Sequence, residues 1–221
     1  LNYRFMAAEA YWILTGQQGL DELLPYCSRM KEFSDNGRTL SGAYGPKFVS
    51  QARYIVDTLL SDSHTRQAVM TIWDRSPLPS KDIPCTVSLQ WLLRDNRLHC
   101  IAHMRSSDCW LGWPYDVFTF SMMSLYIIGL AKENNEFVKW ELGRLRVMVG
   151  SQHIYAPNYE AAKTVFTSSP EDDGVIPAIN THGIIHPDIP IDCLRYARTC
   201  PNDQVLLNLQ PLFNETQNQN K

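Results

Sequence analysis

Residues 84–105 read PCTVSLQWLLRDNRLHCIAHMR, and the way this stretch folds back on itself decides the fold. Over residues 86–91 polar and apolar side chains alternate. Val87, Leu89 and Trp91 share one face, and Thr86, Ser88 and Gln90 the other, which is the period of a half-buried strand. Pro84 suits the mouth of such a strand because it has no N–H to give to a ladder. Residues 98–105 alternate again, and Asp95 and Asn96 between the two runs are good turn formers. A hairpin centred on that pair sets Cys85 opposite Ser106 and Thr86 opposite Arg105. A cysteine, a hydroxyl and an arginine then meet at one end of one sheet. A nearby guanidinium favours thiolate over thiol and can hold a phosphate through two hydrogen bonds. Plainer readings stand beside this one. Cys85 is also a small buried hydrophobe, Arg105 a strand cap, and a register slip of one would send Arg105 to the other face.

Working outward, residues 2–14 predict a helix on which Phe5, Glu9 and Ile13 lie four apart with Trp12 beside them, so Glu9 shares the apolar stripe. A second helix is expected over 20–33, followed by the turn DNG. SGAYGPKF reads as a loop, 49–60 as a helix and 67–73 as a strand. RSPLPSKDIP, with three prolines, reads as an irregular connector. Beyond the hairpin, 116–131 predicts a helix, 138–150 a strand and 158–166 a short helix. From Ser168 the chain is rich in Pro, Asp and Asn and takes no assignment, and the closing TQNQNK suggests fraying. Strands and helices mix without βαβ alternation, so an α+β fold in one domain, 1–221, is expected.

Composition excludes several classes. The 221 residues are 44% hydrophobic and 19% charged, ordinary for a globular chain, and the net charge of −3 argues against a protein that coats nucleic acid. Six scattered cysteines without a CxxC pair suggest a reduced, cytoplasmic protein. The opening LNYRFMAAEAYWIL lacks a basic leader region, so no signal peptide is expected, and it lacks an initiator Met. The apolar run 117–131 reads as too short and too polar to span a bilayer. A zinc set of Cys85, His99, Cys100, His103 and Cys109 is disfavoured, because neighbours on a strand face opposite ways and no standard zinc spacing occurs.

PCTVSLQW, MRSSDCWLGWPYD and GSQHIY, with EAYWILTG, AYGPKF and TRQAV in order around them, resemble the thymidylate synthase superfamily over residues 6–162. The resemblance implies a large bent mixed sheet flanked by helices, and a homodimer packed sheet to sheet. It implies that Cys85 is the nucleophile that attacks C6 of a pyrimidine, and that Arg105 and Ser106 are phosphate ligands. Arg66 would reach the partner subunit's phosphate, although Gln67 stands where the family has a second arginine. His153 and Tyr155 would hold the sugar 3′-hydroxyl, and Glu9 would manage protons through ordered water with Tyr44 near it. Asp108 and Gly112 would hold the folate, 5,10-methylenetetrahydrofolate being the one-carbon donor. The arginine loop that the family carries upstream of the Glu9 helix is not in this sequence. Taken singly, His153 and Tyr155 could be a packed pair, Glu9 and Arg66 solvated groups, and Asp108 a local cap.

The resemblance implies that the base is read at Asp116, where thymidylate synthases have an asparagine. A carboxylate offers only acceptors, which suits the 4-amino group and protonated N3 of cytosine and opposes O4 of uracil. This is similar to the phage-type deoxycytidylate hydroxymethylases, and Ser106 also resembles the deoxy-specific members. The expectation is dCMP 5-hydroxymethylation, with reductive dCMP methylation, CMP hydroxymethylation and silent nucleotide binding as alternatives in that order. Asp116 would equally serve as the N-cap of a helix starting at Val117.

Overall fold

The computed structural model describes residues 1–75, 77–167, 184, 186–209 and 212. Four strands, β1 (Val69–Thr71), β2 (Thr86–Arg94), β3 (Arg97–Asp108) and β4 (Glu141–His153), form one mixed sheet in the order β1-β2-β3-β4. The helices are α1 (Tyr3–Leu14), α2 (Met30–Phe33), α3 (Tyr44–Ser61), α4 (Trp113–Asn134), α5 (Tyr159–Thr167), α6 (Asp188–Ala197) and α7 (Val205–Asn208). At the hairpin tip Asp95 and Asn96 take φ of 51° and 59°, the two left-handed positions of a type I′ turn. The turn sets Trp91 opposite Cys100 and Leu92 opposite His99, as the alternation predicts.

The register changes near the strand mouth. A bulge between Thr86 and Ser88 sets Thr86 opposite Met104, and the Arg105 N–H donates to the Cys85 carbonyl at 2.9 Å. Cys85 therefore opposes Arg105, not Ser106. The cause is long-range: the carbonyl of Val87 accepts both the Ile72 and Trp73 N–H groups, at 2.9 and 3.0 Å.

One sheet face is covered by helices. Leu89, Trp91, Leu98, Cys100 and Ala102 are buried there with Phe120, Met123, Ile127 and Ile128 of α4, and the Trp91 indole donates to Ser124 Oγ at 3.0 Å. At 22 residues α4 is longer than predicted, long and apolar enough by length and composition to cross a membrane. More than half (56%) of its most apolar 18-residue stretch is instead enclosed by the rest of the protein. It connects β3 to a parallel β4, so the fold does contain one βαβ unit. α1 and α3 pack against α4, and α6 against both α1 and α4.

Three segment expectations change. Residues 20–29 form turns and only Met30–Phe33 is helical, since Pro25 bars a continuing helix and the Leu20 N–H is taken by Arg38 O. SGAYGPKF is not all loop, because α3 already starts at Tyr44 with Pro46 in its first turn, where no N–H is missed. The unassigned tail carries α6 and α7, with Leu194, Ala197 and Val205 in the core. The closing TQNQNK lies outside the described residues.

Candidate active site

Glu9 lies in the middle of α1, whose Phe5, Ala8, Trp12 and Ile13 are buried. That stripe turns it toward the end of the sheet where β2 begins. There Glu9 shares a cavity of about 170 Å³ with Tyr44 from the start of α3, Cys85 at the strand mouth and Asp116 in the first turn of α4. Trp12, Asp82 and Thr119 complete its polar and aromatic lining. Segments far apart in sequence thus deliver three carboxyls, a phenol and a thiol to one space.

Low solvation sets the protonation of these groups. Burial, and secondarily the Asp116 charge, raises the Glu9 pKa to about 8. Burial raises Asp116 to about 7. Burial and the Asp116 charge push Tyr44 up as well. Its hydroxyl oxygen accepts the Thr86 N–H at 3.1 Å, which leaves its own proton available to the cavity. Around pH 7, therefore, Glu9 is mostly protonated while Asp116 is divided between acid and carboxylate, so the two carboxyls titrate within the range where proton transfer is useful.

Cys85 differs from expectation. Burial raises its pKa, Arg105 lowers it, and Asp116 and Asp82 raise it again, so the net direction is up. Arg105 favours the thiolate, but burial outweighs it, and part of the guanidinium is turned to backbone carbonyls. Its Nε donates to Pro84 O at 3.0 Å and an Nη to Ile83 O at 2.8 Å, and its guanidinium lies 5.8 Å from the Trp73 ring centre. The site stores a thiol, and ionisation has to accompany attack.

Asp116 is not the helix N-cap. α4 begins at Trp113 after Gly112, and no side chain caps it. A Cβ on Gly112 would lie 3.4 Å from Asp108 O and 3.7 Å from Asp116 Oδ2, ordinary contact distances, so Gly112 sits between these two residues. Asp108 accepts the Trp110 N–H at 2.9 Å, the local cap foreseen as one reading.

The other expected residues do not line the cavity. Ser106 and Asp108 pair with Ser151 and His153 where β3 and β4 run side by side. The His153 and Tyr155 rings pack edge to face, 4.9 Å apart. Arg66 is exposed before β1, and its carbonyl accepts the Gln90 amide at 2.9 Å. Among the described residues no group of three or more His, Cys, Asp or Glu is arranged to hold a metal ion.

Two polar residues of the lining, Thr119 and Asp82, are not among the residues singled out from the sequence. Thr119 lies one turn beyond Asp116 on the same side of α4. Its hydroxyl is buried without a partner, and helical spacing from Asp116 would have found it. Asp82 accepts the Gly42 N–H at 2.7 Å and carries a carboxyl raised mainly by burial. It sits in the irregular connector, where no period points to it.

A family model of thymidylate synthase matches residues 1–183. The chain is 28% identical over 183 residues to a deoxyuridylate hydroxymethyltransferase of Bacillus phage SP01, an alignment covering 74% of this chain and 46% of the relative. Its fold superposes on thermostable thymidylate synthase A from Bacillus subtilis with a TM-score of 0.63 at 20% identity, over 75% of this chain and 62% of that one. The chain thus spans about half the length of the first relative and under two thirds of the second.

Proposed function

Because the chain belongs to the thymidylate synthase family, we propose that it transfers a one-carbon unit from methylenetetrahydrofolate to C5 of dCMP and releases 5-hydroxymethyl-dCMP. The observation that carries this reading is the convergence of Glu9, Tyr44, Cys85 and Asp116 on one cavity.

The chemistry follows from those four groups. Cys85 Sγ adds to C6 as its thiol proton leaves, and the C5–C6 electron pair becomes nucleophilic at C5. Glu9, protonated below about pH 8, and the Tyr44 hydroxyl supply and accept protons at the ring through water. The Asp116 carboxylate accepts from the 4-amino group and from N3–H once N3 is protonated. C5 bonds to the methylene carbon donated by the folate, then loses its own proton. Departure of tetrahydrofolate leaves an exocyclic methylene conjugated with the ring. Water adds to that carbon and the C6–sulfur bond breaks. In this reading Asp108 and Gly112 face the folate, Arg105 and Ser106 the phosphate, and His153 and Tyr155 the sugar.

We place the protein in the cytoplasm, as six free cysteines suit, and as a homodimer packed sheet to sheet with Arg66 given in trans. The sheet face away from the helices, with Gln90, Leu92, Ile101 and Met148, is the surface for it.

A second reading takes dUMP as acceptor. The phage relative is named for deoxyuridylate, and an Asp116 with a pKa of about 7 is partly protonated at neutrality and able to donate to O4. Tritium release from C5-labelled dCMP and dUMP, with methylenetetrahydrofolate present, decides between them. Faster release from dCMP is expected above pH 7, and preference for dUMP at every pH would replace the first reading with the second.

A further inference from the structure

At the other end of the sheet, on the face turned away from the helices, a second cavity of about 230 Å³ lies among Leu92, Arg94, His99, Ile101, Arg144 and Arg146. These residues alternate along three adjacent strands with Leu93, Leu98, Cys100 and Ala102, which are buried on the helix side. Arg94 is nine residues along the strand from Cys85, so the cavity is roughly 30 Å from the thiol at about 3.3 Å per residue.

Three features mark it as built for a ligand. First, it concentrates guanidinium groups in a chain of net charge −3. Arg97 beside it is paired with Glu141 at 3.7 Å, but among the described residues no carboxylate pairs with Arg94, Arg144 or Arg146. Second, the backbone is shaped around it. Between Leu98 and Cys100 of β3 the register with β4 slips, Leu98 pairing with Leu142 and Cys100 with Leu145, and such bulges re-aim side chains. The slip falls at Gly143, where a Cβ would sit 2.8 Å from both His99 Nδ1 and Leu98 O. Third, the bulge lets the Arg144 N–H donate to His99 Nδ1 at 3.0 Å. The neutral ring then carries its proton on Nε2 and offers a donor.

We propose that this concavity binds a phosphate-class oxyanion, at a site separate from the catalytic cavity. Planar guanidinium forks match the paired oxygens of such an anion, and three of them around one small space can serve more oxygens than a carboxylate has. Burial and the charges of Arg146, Arg144, Arg97 and Arg94 keep the His99 pKa below its ordinary value, so an anion seated there would raise it. In the proposed sheet-to-sheet dimer the anion would also offset repulsion between two like-charged faces. The site itself does not rest on that dimer.

The test is an NMR titration of the His99 ring in the full chain, assigned with His99→Gln, at constant ionic strength made up with chloride. Inorganic phosphate is one probe and a purine nucleoside monophosphate the other. A saturable rise of about one pKa unit, a tenfold gain in proton affinity, is expected, and the probe with the lower midpoint tells free phosphate from a phosphoryl end. The Arg144→Gln, Arg146→Gln double variant should lose the rise and Arg105→Ala should keep it. Should the double variant fail to fold, Arg146→Lys, which keeps the charge but not the fork, should weaken the midpoint several-fold. No saturable rise, or the same rise in these site variants, overturns the proposal. Turnover is not read, so failure here is distinct from failure of the proposed reaction.

Discussion

Replacing Asp116 by asparagine should move base preference from dCMP toward dUMP. The wild-type carboxylate accepts from the 4-amino group and from protonated N3, and an amide oxygen accepts without the charge. A hydrogen bond to a charged group contributes about 1.5–3 kcal/mol, so kcat/KM for dCMP should fall about ten- to a hundredfold. For dUMP the asparagine NH2 donates to O4 and its oxygen accepts from N3–H, so kcat/KM should rise. The pH profile gives a second reading of the same event. Asp116, at about 7, must be ionised, and Glu9, at about 8, must keep its proton. The profile of kcat/KM for dCMP, which reports groups of the free enzyme, should therefore peak between those values. Asp116→Asn should remove the lower limb. It should also shift the upper limb down, because the Asp116 charge is one cause of the raised Glu9 value. The assay is kcat/KM for both nucleotides from pH 6 to about 9, in both proteins. An unchanged dCMP-to-dUMP ratio with an unchanged profile would mean that Asp116 does not read the base.

Cys85→Ala should fold normally and lose tritium release from C5 by several orders of magnitude, since the covalent route disappears; retention of more than a few per cent would exclude Cys85 as nucleophile. Glu9 has a folded pKa above its unfolded value of 4.5, so its contribution to stability is present below about pH 4.5 and is lost as pH rises to about 8. Glu9→Gln should be inactive yet more heat-stable than wild type at pH 8, by up to a few kcal/mol, with the gap closing toward pH 5; a pH-independent gap in thermal scans would contradict that. Gly129→Ala should destabilise by about 1–3 kcal/mol in urea titration, although alanine is the better helix former. The added Cβ would sit 2.7 Å from the His186 carbonyl and Pro187 N, where the chain enters α6, and a gain in stability would count against that packing.

How much of this was legible in the sequence depended on how local each cause is. The hairpin tip was readable because Asp95 and Asn96 carry the left-handed turn themselves, and the Glu9 stripe because α1 needs only its own period. The bulge beside Cys85 was not, because it comes from Ile72 and Trp73 sharing one carbonyl of β2. Nor was the upward shift of the Cys85 thiol, which comes first from burial and then from the Asp116 and Asp82 charges brought beside it, against the pull of Arg105. Residues 20–29 carry an apolar pattern that Pro25 and the pairing to Arg38 override. α6 could not be placed from the sequence because its partners, on α1 and α4, are more than fifty residues away. Glu9, Tyr44, Cys85 and Asp116 were singled out mainly by motif resemblance, and their meeting in one cavity is a structural observation.

The most direct measurement is the mass of the product formed when the protein is incubated with dCMP and methylenetetrahydrofolate. The expected product is dCMP carrying a CH2OH group at C5, with tetrahydrofolate formed in equal amount. A methyl product with dihydrofolate would move the chemistry to reduction, and recovery of unmodified dCMP under conditions where dUMP is converted would contradict the reading of Asp116.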